Sequence, residues 1–368
     1  MSDDADPELL ALLRQALGMN GPPPRDLTNT RVLASAEFIY DNSTDVALDM
    51  RSTQRAAAVL WTQMQSRDYT SKSWAAHELH PTAKDASTLD FVFTMDLLNF
   101  CFWSEKGEGE GEGEGFAVEW KGKRWTGYWS LVAALWRALE EGIPITSHAF
   151  WHVEEDCPDE KIAYVFRSAT KEEMPLLKER IKCMREAAQV LCEEFEGDLV
   201  NLINRADKSA AALVNILADH FPCFRDEARF EGRNVRFLKR AQIFVADLWA
   251  AFEGEGWGEF HDIDRITMFA DYRIPQMLYN LGCLSYSPPL ESIVRRRIEI
   301  EPGSSREVQL RGCSIWCVEQ IRREIVRHHP EATVNAVLID FLLYDIAKEL
   351  EASDSLDIPH HRTRSIWY

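Results

Sequence analysis

The chain has 368 residues, 46% of them hydrophobic, which suits a folded protein with a sizeable core and excludes a disordered one. A formal net charge of -19 argues against any protein that grips a long phosphate backbone through a basic face, and suits an enzyme with a small or cationic ligand. None of the 8 cysteines forms a C-x-x-C pair, which excludes zinc-ribbon and thioredoxin readings and leaves buried free thiols in a reducing compartment; Cys313 and Cys317, one helical turn apart, read as packing.

Taken in chain order, residues 8–18 read as a short helix that Gly21-Pro22-Pro23-Pro24 breaks, so residues 1–26 are expected to form a flexible arm. The acidic start Met1-Ser2-Asp3-Asp4 lacks the charge of a secretory or mitochondrial leader, and no apolar run reaches the roughly 18 residues of a membrane span. A cytoplasmic protein is expected. From residue 27 to 368 the pattern predicts one mostly α-helical domain. Apolar residues recur at three- and four-residue spacing over Arg31–Tyr40, Ser52–Gln65 and Asp90–Phe102.

Residues 107–115 read GEGEGEGEG, whose glutamates would repel phosphate, so this is a solvated surface loop. After it, FAVEW and RWTGYW flank Lys121-Gly122-Lys123 and predict a small β-hairpin, the main sheet expected. A helix over Trp129–Glu141 is stopped by Gly142 and Pro144. Helical patterns follow at about 171–195, 197–206, 208–220, 236–252, 275–282, 287–298, 308–328 and 333–351. The end, PHHRTRSIWY, is basic and aromatic and is expected to dock, because Trp and Tyr are costly to leave in water.

Five stretches could carry chemistry. In Thr267–Pro275, Pro275 fits the first turn of a helix and pushes Ile274 out of helical geometry, which leaves Asp271 on an irregular segment between Phe269 and Tyr272. Such a carboxylate can be aimed at a developing positive charge; it can equally be a helix cap or a partner of Arg273. In Val334–Glu351, Asp340 and Asp345 interrupt a very apolar helix. Five residues place them about 140° apart around its axis, so they can flank one pocket without touching. Their partner is either a ligand or an arginine of the tail, Arg362 or Arg364.

Lys239 and Arg240 open an apolar helix, where they bind one phosphate or serve as surface charge. Asp247 farther along reads as hydrogen-bonded structure. His77 and His80 are three apart with no third ligand in reach, so a metal site is not expected there. Between residues 276 and 290, a Gly282 turn between two helices loosely resembles a helix-hairpin-helix.

Together, TMFADYRIPQ, KRAQIFVADLW, RGCSIWCVE, DLLNFCFWSE, GYWSLVAAL, ALEEGIPITS and HRTRSIWY resemble the queuosine salvage protein family, from about residue 30 to 368. The resemblance implies a multi-helix fold similar to helix-hairpin-helix DNA glycosylases. It also implies hydrolysis of the N-glycosidic bond of queuosine 5′-phosphate, releasing queuine and ribose 5-phosphate. It puts the catalytic carboxylate at Asp271 and the base pocket at His77, Phe269, Asp340, Phe341 and Asp345. Family members often carry Tyr where this chain has Phe341, so a phenol hydrogen bond is absent at that position. The partner implied is a small molecule, with no stable nucleic-acid binding, no membrane, no cofactor and a monomeric state. A nucleic-acid base glycosylase and a non-catalytic queuine-binding protein are the alternatives.

No cluster of Cys, His and carboxylate in the sequence has metal-ligand spacing. EDTA is therefore expected to leave turnover unchanged; a loss that a divalent metal restores would contradict this.

Overall fold

The computed structural model describes residues 26–104, 115–353 and 355–368. The arm expected over 1–26, apart from Asp26, and the loop expected over 107–115, apart from Gly115, lie outside the described residues.

The order begins α1 (Val32–Asp41), β1 (Val46–Leu48), α2 (Met50–Ser66), α3 (Lys72–Ala75), α4 (Ala86–Leu97), β2 (Val118–Trp120) and β3 (Lys123–Trp125). It continues with α5 (Tyr128–Glu140), α6 (His148–His152), α7 (Asp159–Val165), α8 (Leu177–Phe195), α9 (Leu199–Asn204) and α10 (Ala210–His220). Then come β4 (Glu227–Phe230), β5 (Arg233–Arg236), α11 (Lys239–Ala251), α12 (Arg273–Asn280), β6 (Leu284–Tyr286), α13 (Pro288–Arg295), α14 (Ser305–His328) and α15 (Ala336–Ala352). The mostly α architecture is the one expected. The hairpin around Gly122 is β2–β3, with Val118 opposite Trp125.

Two further two-stranded sheets correct the expectation of a single one. The β4–β5 hairpin pairs Glu227 with Arg236, and β1 pairs antiparallel with β6, Val46 opposite Tyr286. Three- and four-residue strands are too short for alternation to show. The β6 strand also occupies the connection between α12 and α13, so those helices are joined by more than a glycine turn.

Helix starts follow capping chemistry. Asp49 accepts from Ser52 N at 2.6 Å, Asp85 caps α4 through Ser87 N at 3.0 Å, and Asn335 caps α15 through Leu338 N at 2.9 Å. Two helices are buried nearly all round and form the interior. Helix α11 is covered from Lys239 to Leu248 and packs on α4 and α10. Helix α14 is buried from Glu307 to Glu319 and packs on α1, α2, α12 and α15. At Gly312 an added Cβ would fall 2.7 Å from the Ile39 Cβ, so the missing side chain is what lets α1 lie against α14. Seven cysteines are buried and free; Cys192, beside the buried Leu191, is exposed because it faces off α8.

The two interior helices are tied by one buried ion pair. Asp226, just before β4, receives both Arg311 guanidinium nitrogens, at 2.9 and 2.5 Å. Its other contacts reach the start of α11: Oδ2 accepts Lys239 N at 3.0 Å, and its carbonyl accepts Phe237 N and Leu238 N. Leu238 sits at φ 51, a left-handed conformation costing on the order of 1–3 kcal/mol that these bonds hold in place. The end of the chain is docked, as expected: the Tyr368 carbonyl accepts Cys101 N at 2.7 Å and its hydroxyl donates to Glu307 at 2.7 Å.

Removing one member of a fully buried pair strands the other charge without water. Asp226→Ala is expected to lower unfolding free energy by about 3–5 kcal/mol, read from urea midpoints; a change under about 1 kcal/mol would show that the pair does not hold these helices.

Candidate active site

The pocket grows from two helix faces and one irregular segment. On α11, Lys239, Ile243 and Asp247 recur every fourth residue and so share a face. On α15, Asp340, Phe341, Tyr344, Asp345 and Lys348 form a second stripe. Between them runs 267–272, which contributes Phe269, Asp271 and Tyr272. The mouth is closed by Tyr69, Trp74, His77 and His80 around α3 and by Tyr128 and Trp129 at the start of α5. The cavity holds about 340 Å³, near the lower end of small-molecule sites.

Asp271 is held by backbone. Its N–H donates to the Phe269 carbonyl at 2.7 Å in a tight turn. Its Oδ1 accepts Arg273 N at 2.8 Å and Ile274 N at 3.0 Å, the first two amides of α12. Asp271 is thus a helix-capping residue as well as a pocket residue, and the two readings of the sequence coexist. Its Oδ2 makes no hydrogen bond to the described residues. The same two bonds draw Ile274 into the helix, against the expectation that Pro275 would exclude it. Pro275 lies in the first turn, where a missing N–H loses no intrahelical bond. Arg273 pairs with Glu351 at 2.7 Å, not with Asp271.

Asp340 lies behind Asp271, 5% exposed, and its Oδ2 accepts Phe269 N at 3.1 Å. Burial, reinforced by the neighbouring Asp271, holds its carboxyl well above the usual range. Asp345 sits at the exposed mouth, where Tyr69 donates its hydroxyl at 2.6 Å. Neither pairs with the tail: Arg362 and Arg364 lie over Trp103 instead. Lys239 is 5% exposed, and its ammonium reaches the Asn99 carbonyl at 3.5 Å. Burial lowers it to about 8, with Asp271 opposing the shift. Arg240 is absent from the pocket. Its guanidinium is buried against the Leu97 and Cys223 carbonyls, between Phe100 and Phe224.

The aromatic parts are rigid. Phe269 and Phe341 stand 6.1 Å apart and tilted by 52°. His77 stacks on Trp129 at 3.3 Å, and its Nδ1 accepts Leu79 N at 3.2 Å, so its neutral form presents Nε2–H. Burial lowers its affinity for a proton. His80 is structural. It stacks on Trp74 at 3.6 Å, donates Nδ1–H to the Trp74 carbonyl at 2.6 Å and meets the Tyr128 hydroxyl at 2.9 Å; burial brings it down to about 3.

Of the residues singled out in the sequence, His77, Lys239, Phe269, Asp271, Asp340, Phe341 and Asp345 line this one cavity, and Arg240 does not. Tyr69, Trp74, Trp129 and Tyr344 also line it and were not singled out; isolated aromatics in helical stretches read as core. Tyr344, one turn beyond Phe341, brings a phenol to the same wall. No group of three or more His, Cys, Asp or Glu among the described residues is placed to hold a metal. None of their helices is long and apolar enough to cross a membrane.

A family model described as queuosine salvage protein matches residues 79–368. This chain belongs to the queuosine salvage protein family. It is 46% identical over 349 residues to a Schizosaccharomyces pombe protein named queuosine 5′-phosphate N-glycosylase/hydrolase, covering 92% of this chain and 100% of that one. Proteins of the same name from Bos taurus and Sphaerobacter thermophilus are 41% and 40% identical, over 91% and 92% of this chain and 97% of each relative.

A capped carboxylate with one oxygen turned to a cavity is built to face positive charge. Asp271→Asn keeps the capping oxygen and is expected to fold with a melting temperature near the parent's, while turnover drops about a hundredfold or more. Near-normal turnover by the folded variant would remove Asp271 from the reaction.

Proposed function

We propose that this chain is a cytoplasmic, monomeric N-glycosyl hydrolase that converts queuosine 5′-phosphate and water to queuine and ribose 5-phosphate. The observation that carries this reading is the meeting of Asp271, Lys239 and an aromatic-walled acidic recess in one small cavity, in a chain whose relatives bear that enzyme name.

Breaking the bond from C1′ to the base builds oxocarbenium charge on the ribose. The Asp271 Oδ2 stabilises that charge, or attacks the anomeric carbon, and its pinned Oδ1 removes the need to reorient. Lys239, beside Asp271, takes the 5′-phosphate. Charged at neutral pH with its ammonium at about 8, it gains a counter-ion when the substrate arrives. Phe269 and Phe341 form an apolar wall against the base. Asp340, whose burial favours its protonated form, hydrogen-bonds its polar edge, and Asp345 at the mouth suits the cationic amine of queuine. His77 adds Nε2–H as a donor.

A nucleic-acid base glycosylase would need a basic face around this mouth; Asp345, Glu349 and a net charge of -19 oppose it. A carrier of free queuine would have no use for a buried lysine beside Asp271. Incubation with queuosine 5′-phosphate, followed by mass spectrometry for free queuine, tests the reading: stoichiometric binding without release would favour the carrier.

A charge-assisted phosphate contact is worth roughly 1.5–3 kcal/mol. Lys239→Ala is therefore expected to lower kcat/KM for the 5′-phosphate about ten- to a hundredfold, and to spare the nucleoside that lacks it. Arg240→Ala should not discriminate between the two substrates. Equal losses on both substrates in Lys239→Ala would assign Lys239 to the fold or base pocket.

A further inference from the structure

Asp247 is unexplained by the roles above. It lines the cavity from α11, is 3% exposed, and its Oδ1 is buried with no hydrogen-bond partner. Behind it on α4 lies Asp96, 0% exposed, whose Oδ2 is likewise buried and without a partner. Two neighbouring carboxyls, each with an unsatisfied oxygen in a dry interior, are chemically incomplete as two anions. Such a pair favours holding one proton over standing as two anions.

The position is also informative. Lys239 and Asp247 share one face of α11, eight residues apart, which is about 12 Å along the axis. A mononucleotide whose phosphate meets Lys239 directs its base toward Asp247, with Asp271 at the sugar and Asp340 along the edge of the base. Asp340 is already committed to Phe269 N. The Trp74 side chain hydrogen-bonds to Asp247 and fixes its orientation.

Resting on the reading of the site as a nucleotide hydrolase, we propose that Asp247, backed by Asp96, is the acid that delivers a proton to the departing base. The step balances. The C1′–N bond breaks with its electron pair leaving on the base. The Asp247 O–H proton passes to the base heteroatom that carries that pair. Water bonds to C1′ and releases one proton, and Asp247 takes one back from solvent. The need is acute for a 7-deazaguanine, which has no N7 to protonate. Asp247 would be a catalytic residue, and Asp96 a positioning one.

The groups facing Asp247 are Asp96 from α4, Trp74, the Tyr128 hydroxyl from α5 with His80 on its far side, and Asp340 from α15. Lys239 and Arg240 act on it through Asp96. Burial, then Asp96, raises the Asp247 carboxyl well above the usual range. Activity that needs this proton is present at lower pH and lost as pH rises through the raised value.

The test is the pH profile of queuine release by the parent, Asp247→Asn and Asp96→Asn, with folding checked by melting temperature. Asp247→Asn is expected to lose about a hundredfold or more in kcat, with KM within about threefold, and to lose the alkaline fall of kcat/KM. Asp96→Asn removes the repelling carboxyl, so it should keep most turnover while its alkaline fall moves to lower pH. A folded Asp247→Asn within about threefold of the parent in kcat would overturn the proposal. If Asp247→Asn does not fold, an Asp96→Asn profile with an unmoved alkaline fall would overturn it. Absence of queuine release by the parent would overturn both this and the proposed function; release by the parent with an unimpaired Asp247→Asn defeats this step alone.

Discussion

Arg311 and Asp226 meet where neither reaches water, and the site is arranged around their meeting. Besides its carboxylate partner, the Arg311 guanidinium donates Nε–H to the Ala270 carbonyl at 3.0 Å, one residue before Asp271, and lies 4.0 Å over the Phe237 ring. Asp226 in turn holds Lys239 N. One pair thus fixes the backbone next to Asp271, on the segment leading into α12, and that of Lys239 at the start of α11. A buried pair of this kind contributes little net stability compared with apolar residues of the same volume. Its value here is positional: it forces Leu238 into a left-handed turn that an unconstrained leucine would leave, and so sets where α11 begins.

That frame allows one small cavity to hold carboxyls with different duties. Asp271, with an oxygen capped by two amides, lines the cavity beside Lys239. Asp340, on the same cavity, has its proton affinity raised by burial and by Asp271 itself. Asp345 stays at the wet mouth with Tyr69. Different surroundings let like side chains in one cavity take different parts in binding. The overall charge of -19 belongs with this arrangement, since it favours a ligand carrying an amine over a polymer of phosphates.

Much of this was legible in the sequence. Long apolar-periodic stretches, such as 236–252 and 333–351, became α11 and α15 with ends displaced by a few residues, because the left-handed backbone at Leu238 and the Asn335 side-chain cap set the first turn and periodicity does not. Asp340 and Asp345 were visible as carboxylates in an apolar helix. The β1–β6 pair was not, since three residues at 46–48 meet partners at 284–286 through tertiary contact alone. Neither was the choice of Lys239 over Arg240. Adjacent residues on a helix point about 100° apart, and only the packing of α11 on α4 shows which one turns to the cavity. The Asp226–Arg311 pair left no local signal, its members being 85 positions apart in the chain. Asp247 was read as hydrogen-bonded structure, because sequence cannot show that one of its oxygens is left without a partner.

The central claim is one of placement, that the ribose of a queuosine nucleotide lies against Asp271. The most direct measurement is a crystal structure of Asp271→Asn with intact queuosine 5′-phosphate bound. The anomeric carbon should lie beside residue 271, with the base against Phe269 and Phe341 and the phosphate at Lys239. A nucleotide seated with its ribose away from residue 271, or its phosphate at the Asp345 mouth, would contradict it.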